Sequence, residues 1–465
     1  MQTLDLLDER RSVTKTIFLL AWPTITEQIL LTFVNYIDTA MVGSLGAIAT
    51  AAVSINASTM FLVMGLLSSL AVGFSVIVAK NIGARNYERS SIAANQGLFS
   101  AIILGFVIFS LMLFIGPRIP VFLKADKSII PDSLNYIKWI TIAFIPQSLM
   151  IMGGGIFRGA GNTKTPFVVN IINNFINVVL NFFLIFPSKE INLFGTSFYL
   201  RRANLGVEGA AIATFISIAI SAIILITLLV KDKDFNLTIK LVNPFKMNWD
   251  INKKASVLAF PNALERVSLA AGQIFLTAIV ASLGVNALAS HYLAIKAESL
   301  AYMPTFGFAT AATTLVAQAL GGGKKELAKK YARASLIMGT LTMSVAGIFL
   351  FVFSKGLVSF FTNDVEVIAS GSQLLRIVAI CEPFFGLSMM VFGILRGAGD
   401  TKRPFIITII GMWMIRLPLA YFFVNYTKFG LNGAWAAMTL DLIVRGTISF
   451  IIFKKGKFFN LKSEF

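Results

Sequence analysis

Acidic side chains inside apolar segments are the residues of this sequence best suited to ion chemistry. Asp38 stands at the end of the first such segment, where a carboxylate would face the negative end of a helix dipole. That position favours protonation or a bound cation. An ionisable group costs roughly 2.5–3.5 kcal/mol at the centre of a membrane-spanning helix, so such a group is a candidate for function. An exposed loop position is the ordinary alternative, but we predict that Asp38 couples the protein to a cation or proton.

Amides in the fifth apolar segment form one stripe. Four asparagines recur at i, i+4, i+7 and i+11, which places them within about 60° of one another around a helix: Asn170, Asn174, Asn177 and Asn181. Lipid tails offer amides no hydrogen-bond partner, so the stripe must face another helix or water. Hydrogen bonding between helices and a hydrated cavity that receives Asp38 both remain open. One turn apart in the sixth segment, Ala210 and Thr214 could add a hydroxyl to such a cavity.

The second half of the chain holds its own acids. Glu265 repeats Glu27, each four residues after a proline, so a structural role beside that proline and a functional role are equally open. Glu298 has no acidic counterpart in the first half, which favours a role in coupling or substrate binding. Asp441 is predicted to form a neutralised structural pair with Arg445, four residues further on. The candidate basic partners of these acids are Arg266, Lys296, Arg376, Arg416 and Arg445.

The composition is that of a membrane protein. Hydrophobic residues make up 56% and charged residues only 13% of the 465 residues, and the mean hydropathy is +0.79, which is too apolar for a soluble chain. The apolar runs of roughly 20 residues can each cross a hydrocarbon core of about 30 Å as a helix. We predict an all-α polytopic membrane protein with twelve transmembrane helices, near residues 16–38, 52–79, 91–115, 136–157, 167–187, 207–230, 255–282, 288–319, 332–354, 373–395, 405–425 and 431–453. The Glu382-Pro383 pair predicts a break in the tenth of these helices.

The chain is a duplicated half. Residues 157–167 (FRGAGNTKTPF) return 238 positions later as residues 395–405 (LRGAGDTKRPF). Six helices in each half make the repeats parallel, related by an axis along the membrane normal. We predict an N-lobe over residues 1–230 with helices 1–6, a cytoplasmic inter-lobe linker over residues 231–254, and a C-lobe over residues 255–465 with helices 7–12.

Two details of the repeats carry structural expectations. The repeated motif is expected to be a turn in which Asn162 or Asp400 caps the following helix. Beyond it, the offset between the repeats falls to 224 positions, so the first half has about 14 extra residues in the loop between its fifth and sixth helices.

The net charge of +18 is a topology signal. Lys and Arg concentrate in the segments that lie inside if the N-terminus is cytoplasmic, which by the positive-inside rule places both termini in the cytoplasm. This distribution suits a lipid bilayer and argues against nucleic acid as a partner. No zinc-binding pair, phosphate loop or group of inner acids indicates an enzyme, and a single cysteine excludes a disulfide framework. His291, the one histidine, is expected at a loop or interface near the outer surface rather than in a proton relay.

Several motifs resemble the multidrug and toxic compound extrusion (MATE) family. They cover both repeats and comprise residues 22–23 (WP), 34–43 (VNYIDTAMVG), 157–167, 206–214 (GVEGAAIAT) and 311–318 (AATTLVAQ). The resemblance implies a V-shaped pair of six-helix lobes that exports organic cations and other drugs in exchange for inward sodium or protons.

The resemblance also assigns a site. Asp38 matches the helix 1 aspartate of the family's N-lobe cation or proton site, Asn177 matches the helix 5 asparagine, and Ala210 and Thr214 match the helix 6 positions. Asn181 departs from the pattern, because many bacterial and archaeal members have an aspartate there, and an amide removes one titratable group and weakens sodium ligation. The expected arrangement is a Na⁺ or proton site at Asp38, Asn177, Asn181, Ala210 and Thr214, with Na⁺ held by all of these except Ala210, and a cavity lined by Asn35, Tyr36, Asn170 and Asn174. Coupling in the C-lobe at Glu265 or Glu298 is left open beside it.

These inferences predict a secondary-active antiporter that exports organic cations or other amphipathic compounds in exchange for H⁺ or Na⁺. It is expected to act as a monomer in the plasma (cell inner) membrane, with no cofactor besides the coupling ion. A flippase for lipid-linked precursors or polysaccharides, of the same wider superfamily, is the alternative and would be expected to have a more cationic central cavity. A membrane-embedded transferase is disfavoured by the missing catalytic constellation, and a channel would pass ions without saturation by drug.

Overall fold

The structure is a computed structural model that describes residues 5–123, 125–193, 196–231 and 247–460. Long helices dominate the first half, and one two-stranded hairpin interrupts them. In chain order the elements are α1 (Val13–Gly43), α2 (Ala47–Gly83), α3 (Tyr87–Ile115), a 3₁₀ turn (Gly116–Arg118), α4 (Ile119–Phe122), α5 (Ile130–Gly159), α6 (Lys164–Leu184), β1 (Lys189–Leu193), β2 (Thr196–Leu200) and α7 (Gly206–Lys231).

The second half is helical throughout its described residues. It comprises α8 (Trp249–Ala281), α9 (Val285–Gly321), α10 (Lys325–Ser359), α11 (Val365–Ala379), α12 (Glu382–Ala398), α13 (Lys402–Ile409), a π-helix (Ile410–Arg416), α14 (Leu417–Tyr426), α15 (Gly430–Lys455) and a 3₁₀ turn (Lys457–Asn460).

The helices account for the predicted membrane spans. Within the described ranges, eleven helices or helix runs are long and apolar enough to cross a bilayer, and the pair α11 and α12, bent by 54°, brings the number to twelve when it is counted as one span. Each predicted segment coincides with one of these, so the prediction of an all-helical polytopic membrane protein is confirmed. The break lies where Glu382-Pro383 predicts it, because α12 begins at Glu382 and Pro383 has no N–H to continue the hydrogen-bond ladder of α11.

One short β-hairpin lies in a loop of this otherwise helical fold. Strands β1 and β2 pair antiparallel, with Lys189 opposite Leu200 and Leu193 opposite Thr196. The hairpin follows α6 and precedes α7, so it falls in the stretch where the first half carries its extra residues. Hydropathy could not predict it, since a short hairpin outside the apolar spans has no periodic signal of its own.

The repeated motif forms the expected turn in both halves. Asn162 Oδ1 accepts a hydrogen bond from the Thr165 N–H at 2.9 Å, and Asp400 Oδ1 accepts from the Arg403 N–H at 3.1 Å. Gly161 (φ 90°) and Gly399 (φ 94°) adopt the left-handed conformation that the turn requires. The predicted role at the start of α6 and α13 is confirmed.

Contacts group the chain into two compact units. One comprises the described parts of Ile29–Val78 and Tyr87–Ala255, and the other the described parts of Leu4–Gln28, Ala79–Asn86 and Ser256–Phe465. The second unit thus includes the start of α1 and the end of α2 besides the second repeat. The lobe boundaries at residues 230 and 255 remain a prediction about the sequence repeats, and residues 232–246 of the expected linker lie outside the described residues.

The ends of α2 and α9 meet inside the second unit. Their last residues, Gly83 and Gly321, are 238 positions apart and so correspond in the two repeats. A Cβ atom on Gly83 would overlap the Gln318 carbonyl, and one on Gly321 would overlap the Lys80 carbonyl. Because Lys80 and Gln318 are also 238 positions apart, the contact is locally two-fold symmetric and brings two backbones together.

Candidate functional site

Asp38 lies on α1, within the first unit, and faces α6. Its Oδ1 accepts a hydrogen bond of 2.8 Å from Asn181 Nδ2. The helix continues to Gly43, so Asp38 lies more than one turn before its end. The argument from the negative end of the helix dipole is therefore wrong at this position, since that effect is confined to the last turn.

Asn177 and Asn181, the two stripe residues nearest the end of α6, join Asp38 to α7. Asn181 Nδ2 also donates to Asn177 Oδ1 at 3.1 Å, and Asn177 Nδ2 donates to Thr214 Oγ1 at 3.3 Å. Thr214 in turn donates to the Ala210 carbonyl at 2.9 Å. Asn177 and Asn181 are only 5% and 2% exposed, so a buried polar chain connects three helices. The structure therefore brings together the five residues predicted for this site.

The Asn177 amide also reaches the Asp38 carboxylate. It lies 3.1 Å from Asp38 Oδ1 and 3.3 Å from Asp38 Oδ2, and with its nitrogen on that side it donates to both oxygens. Asn181 Oδ1 is buried and has no hydrogen-bond partner among the described residues. The amides of two asparagines therefore converge on one carboxylate.

Nearer the start of α6, an asparagine beside the stripe bonds to another helix. Asn173, which the periodicity did not single out, donates to Asn174 Oδ1 at 3.5 Å and accepts from Ser221 Oγ of α7 at 3.4 Å. The bond to Ser221 is a hydrogen bond between helices. The roles of Asn170 and Asn174 in lining a cavity stay predictions.

Two predicted cavity residues on α1 lie next to Asp38 in sequence but differ in exposure. Asn35 is exposed, and its carbonyl accepts from Thr39 Oγ1 at 2.7 Å. Tyr36 is half-buried. Both roles stay predictions.

Glu265, in the second unit, is held by an arginine from the repeated motif. Arg396 Nη2 lies 2.8 and 3.0 Å from the two carboxylate oxygens, and the side chains are only 5% (Glu265) and 11% (Arg396) exposed. This buried ion pair supports the structural alternative for Glu265. Arg396 was absent from the predicted partners, although its place in both copies of the motif was a signal that could have found it.

The predicted pair between Asp441 and Arg445 is confirmed and extended. Arg445 Nη2 and Arg416 Nε each lie 2.7 Å from Asp441 Oδ2, so one buried carboxylate serves two guanidinium groups. Arg416 ends the π-helix, and a Cβ on Gly411 of that helix would overlap Asp441 Oδ1. The π-helix thus places a glycine where the ion pairs touch the backbone.

Glu382 is a buried acid that the sequence analysis treated only as a helix break. It is 1% exposed, and neither carboxylate oxygen has a hydrogen-bond partner in the part of the chain that the structure describes. Glu298 of α9 acts on it electrostatically, and Arg416 acts in turn on Glu298. An ionised carboxylate buried without a partner is costly, so Glu382 is a second place where a proton could bind.

His291 lies at an interface between helices, one of the two places expected for it. It lies within α9 rather than in a loop, is 2% exposed, and its Nδ1 accepts a 3.0 Å hydrogen bond from Trp435 Nε1. The neighbouring Trp435 ring therefore holds it as a packed core residue.

A transition-metal site is not indicated. No cluster of three or more His, Cys, Asp or Glu side chains suited to a metal occurs within residues 5–123, 125–193, 196–231 and 247–460. The oxygens around Asp38 are instead carboxylate, amide and hydroxyl groups, the ligand type of hard cations.

Comparisons with known proteins agree with one another. The MatE family model matches twice, over residues 23–183 and 261–422, with starts 238 residues apart as in the repeated motif. A probable multidrug resistance protein NorM of Thermotoga maritima is 32% identical over 97% of this chain and 94% of its own length.

Solved structures match along the whole chain. A MATE protein in complex with MaD3S gives a TM-score of 0.89 at 23% identity, covering 99% of this chain and 100% of that one. The outward-facing conformation of a multidrug resistance MATE family transporter of the MOP superfamily also gives 0.89 at 23% identity, with 100% of both chains covered. At this identity the solved structures establish the fold.

Proposed function

Because the chain belongs to the MatE family of multidrug and toxic compound extrusion transporters, we propose that it is a secondary-active antiporter that exports amphipathic organic cations in exchange for H⁺ or Na⁺. As a family member it is a multi-pass membrane transporter rather than an enzyme. Its resemblance in sequence to a probable multidrug resistance protein supports drugs as substrates. The asymmetry of Lys and Arg supports a plasma-membrane orientation with both termini in the cytoplasm.

The half-buried Asp38 carboxylate, joined to the amides of Asn181 and Asn177 and to the Thr214 hydroxyl, is the observation that carries this proposal. A carboxylate, amide oxygens and a hydroxyl are the ligands that suit a hard cation such as Na⁺, and the buried Asn181 Oδ1, without a partner among the described residues, would be one of them. A proton on Asp38 would neutralise the same carboxylate. The cluster therefore offers the groups that an ion-coupling site needs.

The single carboxylate limits the number of protons that this site can bind. With Asn181 in place of a second acid, the Asp38 cluster binds at most one proton in each cycle. Glu298 and Glu382 supply carboxylates in the second unit, and we include them as the alternative place of coupling.

Efflux of a fluorescent cationic dye from proteoliposomes tests the proposal, with a sodium gradient or a proton gradient imposed separately. We expect one gradient to drive export by the unchanged protein and Asp38→Asn to reduce that export at least about 10-fold, because the cluster loses its only charge. Asp126→Asn is the matched control, since Asp126 is solvent-exposed and only caps the Ser128 turn.

Two other outcomes would redirect the assignment. If Asp38→Asn exports dye normally while Glu298→Gln and Glu382→Gln do not, coupling lies in the second unit. If neither gradient moves dye, the antiporter proposal fails and the flippase for lipid-linked precursors takes its place.

A further inference from the structure

A basic cavity lies where α10 begins and α15 ends, about 20 Å along α15 from Asp441. Its volume is about 490 Å³. Five cationic side chains line it, and the described lining includes no acid: Lys325, Lys329, Arg333, Lys454 and Lys455. All five belong to the second compact unit. We call this feature the basic cavity.

The charges on α10 are unfavourable for the helix itself. Lys325, Lys329 and Arg333 recur at i, i+4 and i+8, so like charges are stacked along one face. Lys325 also lies in the first turn, where the helix dipole is positive and disfavours cations. The dipole explains Lys454 and Lys455 at the C-terminus of α15, but it has the wrong sign for the stripe on α10.

Protein acids compensate only part of this charge. Glu326 pairs with Lys329 at 2.7 Å, but the glutamate side chain is 78% exposed, so the pair is weak. Nearby Lys324, outside the cavity, is satisfied by the Leu7 carbonyl and Glu9. Glu326 also acts on Arg333 electrostatically, whereas Lys454 and Lys455 have no ion-pair partner within the described residues. Among the described residues, the cavity therefore keeps an excess of positive charge.

Aromatic side chains form the rest of the wall. Phe450, Phe453 and Phe459 line the same cavity, and Phe450 is 46% exposed. Phe450 precedes Lys454 by one turn of α15, so it lies one turn deeper in the span than the charges. The site is thus cationic at the helix end and apolar further in.

We propose that the basic cavity binds an anionic phospholipid, with its phosphodiester among the cations and an acyl chain against Phe450 and Phe453. A free phosphate would use the cations but not the aromatic wall, whereas an anionic lipid at a membrane interface presents both parts in this order. A zwitterionic lipid neutralises its own phosphate and fits less well. The inference does not depend on the antiporter mechanism, since it concerns separate residues.

Native mass spectrometry of the full chain in detergent tests the proposal by titration with phosphatidylglycerol or phosphatidylcholine of the same acyl chains. We expect phosphatidylglycerol to bind at least about 10-fold more tightly. The variant Arg333→Gln/Lys454→Gln/Lys455→Gln should lose at least about 10-fold of this affinity, because each basic group near the surface contributes to anionic lipid binding. Its affinity for phosphatidylcholine should change less than about 2-fold.

The matched control removes the same charge elsewhere. Lys164, Lys253 and Lys402 are exposed residues outside the cavity, and their triple change to Gln should lower phosphatidylglycerol affinity less than about 2-fold. Equal losses in the two triple variants would overturn the proposal, because they would show a diffuse attraction without a site. Displacement of the lipid by glycerol 3-phosphate at equal concentration would also overturn it, in favour of a soluble anion.

A second variant keeps the test independent of folding. If the triple variant lacks a cooperative thermal transition in detergent, the single Arg333→Gln variant is compared with Lys402→Gln. An affinity loss of about 3-fold or more that is confined to Arg333→Gln supports the site, and no difference between the two refutes it.

Discussion

At the scale of single residues, the contact between Asp38 and Asn181 bears on how strongly the proposed site would bind an ion. Asn181 Nδ2 lies 2.8 Å from Asp38 Oδ1, so an acid at position 181 would place two carboxylates in contact. Such a pair shares a proton or holds a cation more strongly than one carboxylate does. In the proposed site the amide would therefore give weaker ion binding than a second carboxylate.

Asn181→Asp is expected to lower the concentration of coupling ion needed for half-maximal dye efflux by about 10-fold, one such factor being about 1.4 kcal/mol. Efflux is measured over a series of external sodium concentrations and pH values. Asn173→Asp is the control, because Asn173 is on the same helix but bonds Asn174 and Ser221 instead of Asp38. An unchanged ion dependence in Asn181→Asp would contradict the prediction.

Helical periodicity is what made the residues of this cluster predictable. Asn177 and Asn181 share a face of α6 one turn apart, and a face of buried amides needs a partner such as Asp38. Periodicity does not predict contacts between distant segments. For this reason the sequence analysis did not identify Arg396 as a partner of Glu265 or Glu382 as a buried acid. The ion pair between Glu265 and Arg396, which are 131 positions apart, forms because the packing of the helices brings the two residues together.

At the scale of elements, the π-helix between α13 and α14 allows close packing against the ion pairs of Asp441. It presents Gly411 to the ion pairs of Asp441, where a Cβ would overlap Asp441 Oδ1 and Arg445 Nε. Breaking a buried ion pair on one side leaves an uncompensated charge in an apolar interior. The glycine therefore protects the carboxylate that forms ion pairs with both Arg416 and Arg445.

Gly411→Ala is expected to destabilise the protein by about 1–3 kcal/mol, the usual cost of overpacking, and to lower the midpoint of thermal unfolding in detergent. Gly356→Ala is the control, since no atom lies within 4 Å of the added Cβ. Equal midpoints for the two variants would show that the ion pairs can shift away at no cost.

The membrane spans could be predicted from the length of the apolar runs, but the ends of the helices and their local irregularities could not. An apolar run of about 20 residues specifies a membrane helix through the thickness of the bilayer. Turn chemistry also showed in the sequence at Asn162 and Pro383. The end of α1 at Gly43, the π-helix and the β-hairpin depend on local packing and hydrogen bonding, which hydropathy does not encode.

At the scale of the whole molecule, the sequence duplication is reflected in the contact between the ends of α2 and α9. Gly83 ends α2 and packs against the backbone carbonyl of Gln318 on α9. Gly321 ends α9 and packs against the backbone carbonyl of Lys80 on α2, and Lys80 and Gln318 occupy corresponding positions in the two repeats. Close approach of two helices through small residues is the usual way in which membrane helices associate. The crossing belongs to the second compact unit, although α2 is part of the first repeat.

Gly83→Ala and Gly321→Ala are each expected to weaken the crossing, because the added methyl group would overlap a backbone carbonyl that no rotamer change can move. We expect each to cost about 1–3 kcal/mol and to lower dye efflux, measured beside thermal unfolding. Gly356→Ala again serves as the control. A normal unfolding midpoint in both crossing variants would show that the backbones separate without loss.

The symmetry of the crossing also limits how the two repeats can diverge. Asp38 and Glu382 have no acidic counterpart in the other repeat, where Leu276 and Phe144 stand at the corresponding positions. Gly83 and Gly321 are identical, and a side chain gained by either one would collide with a main chain that no substitution elsewhere can remove.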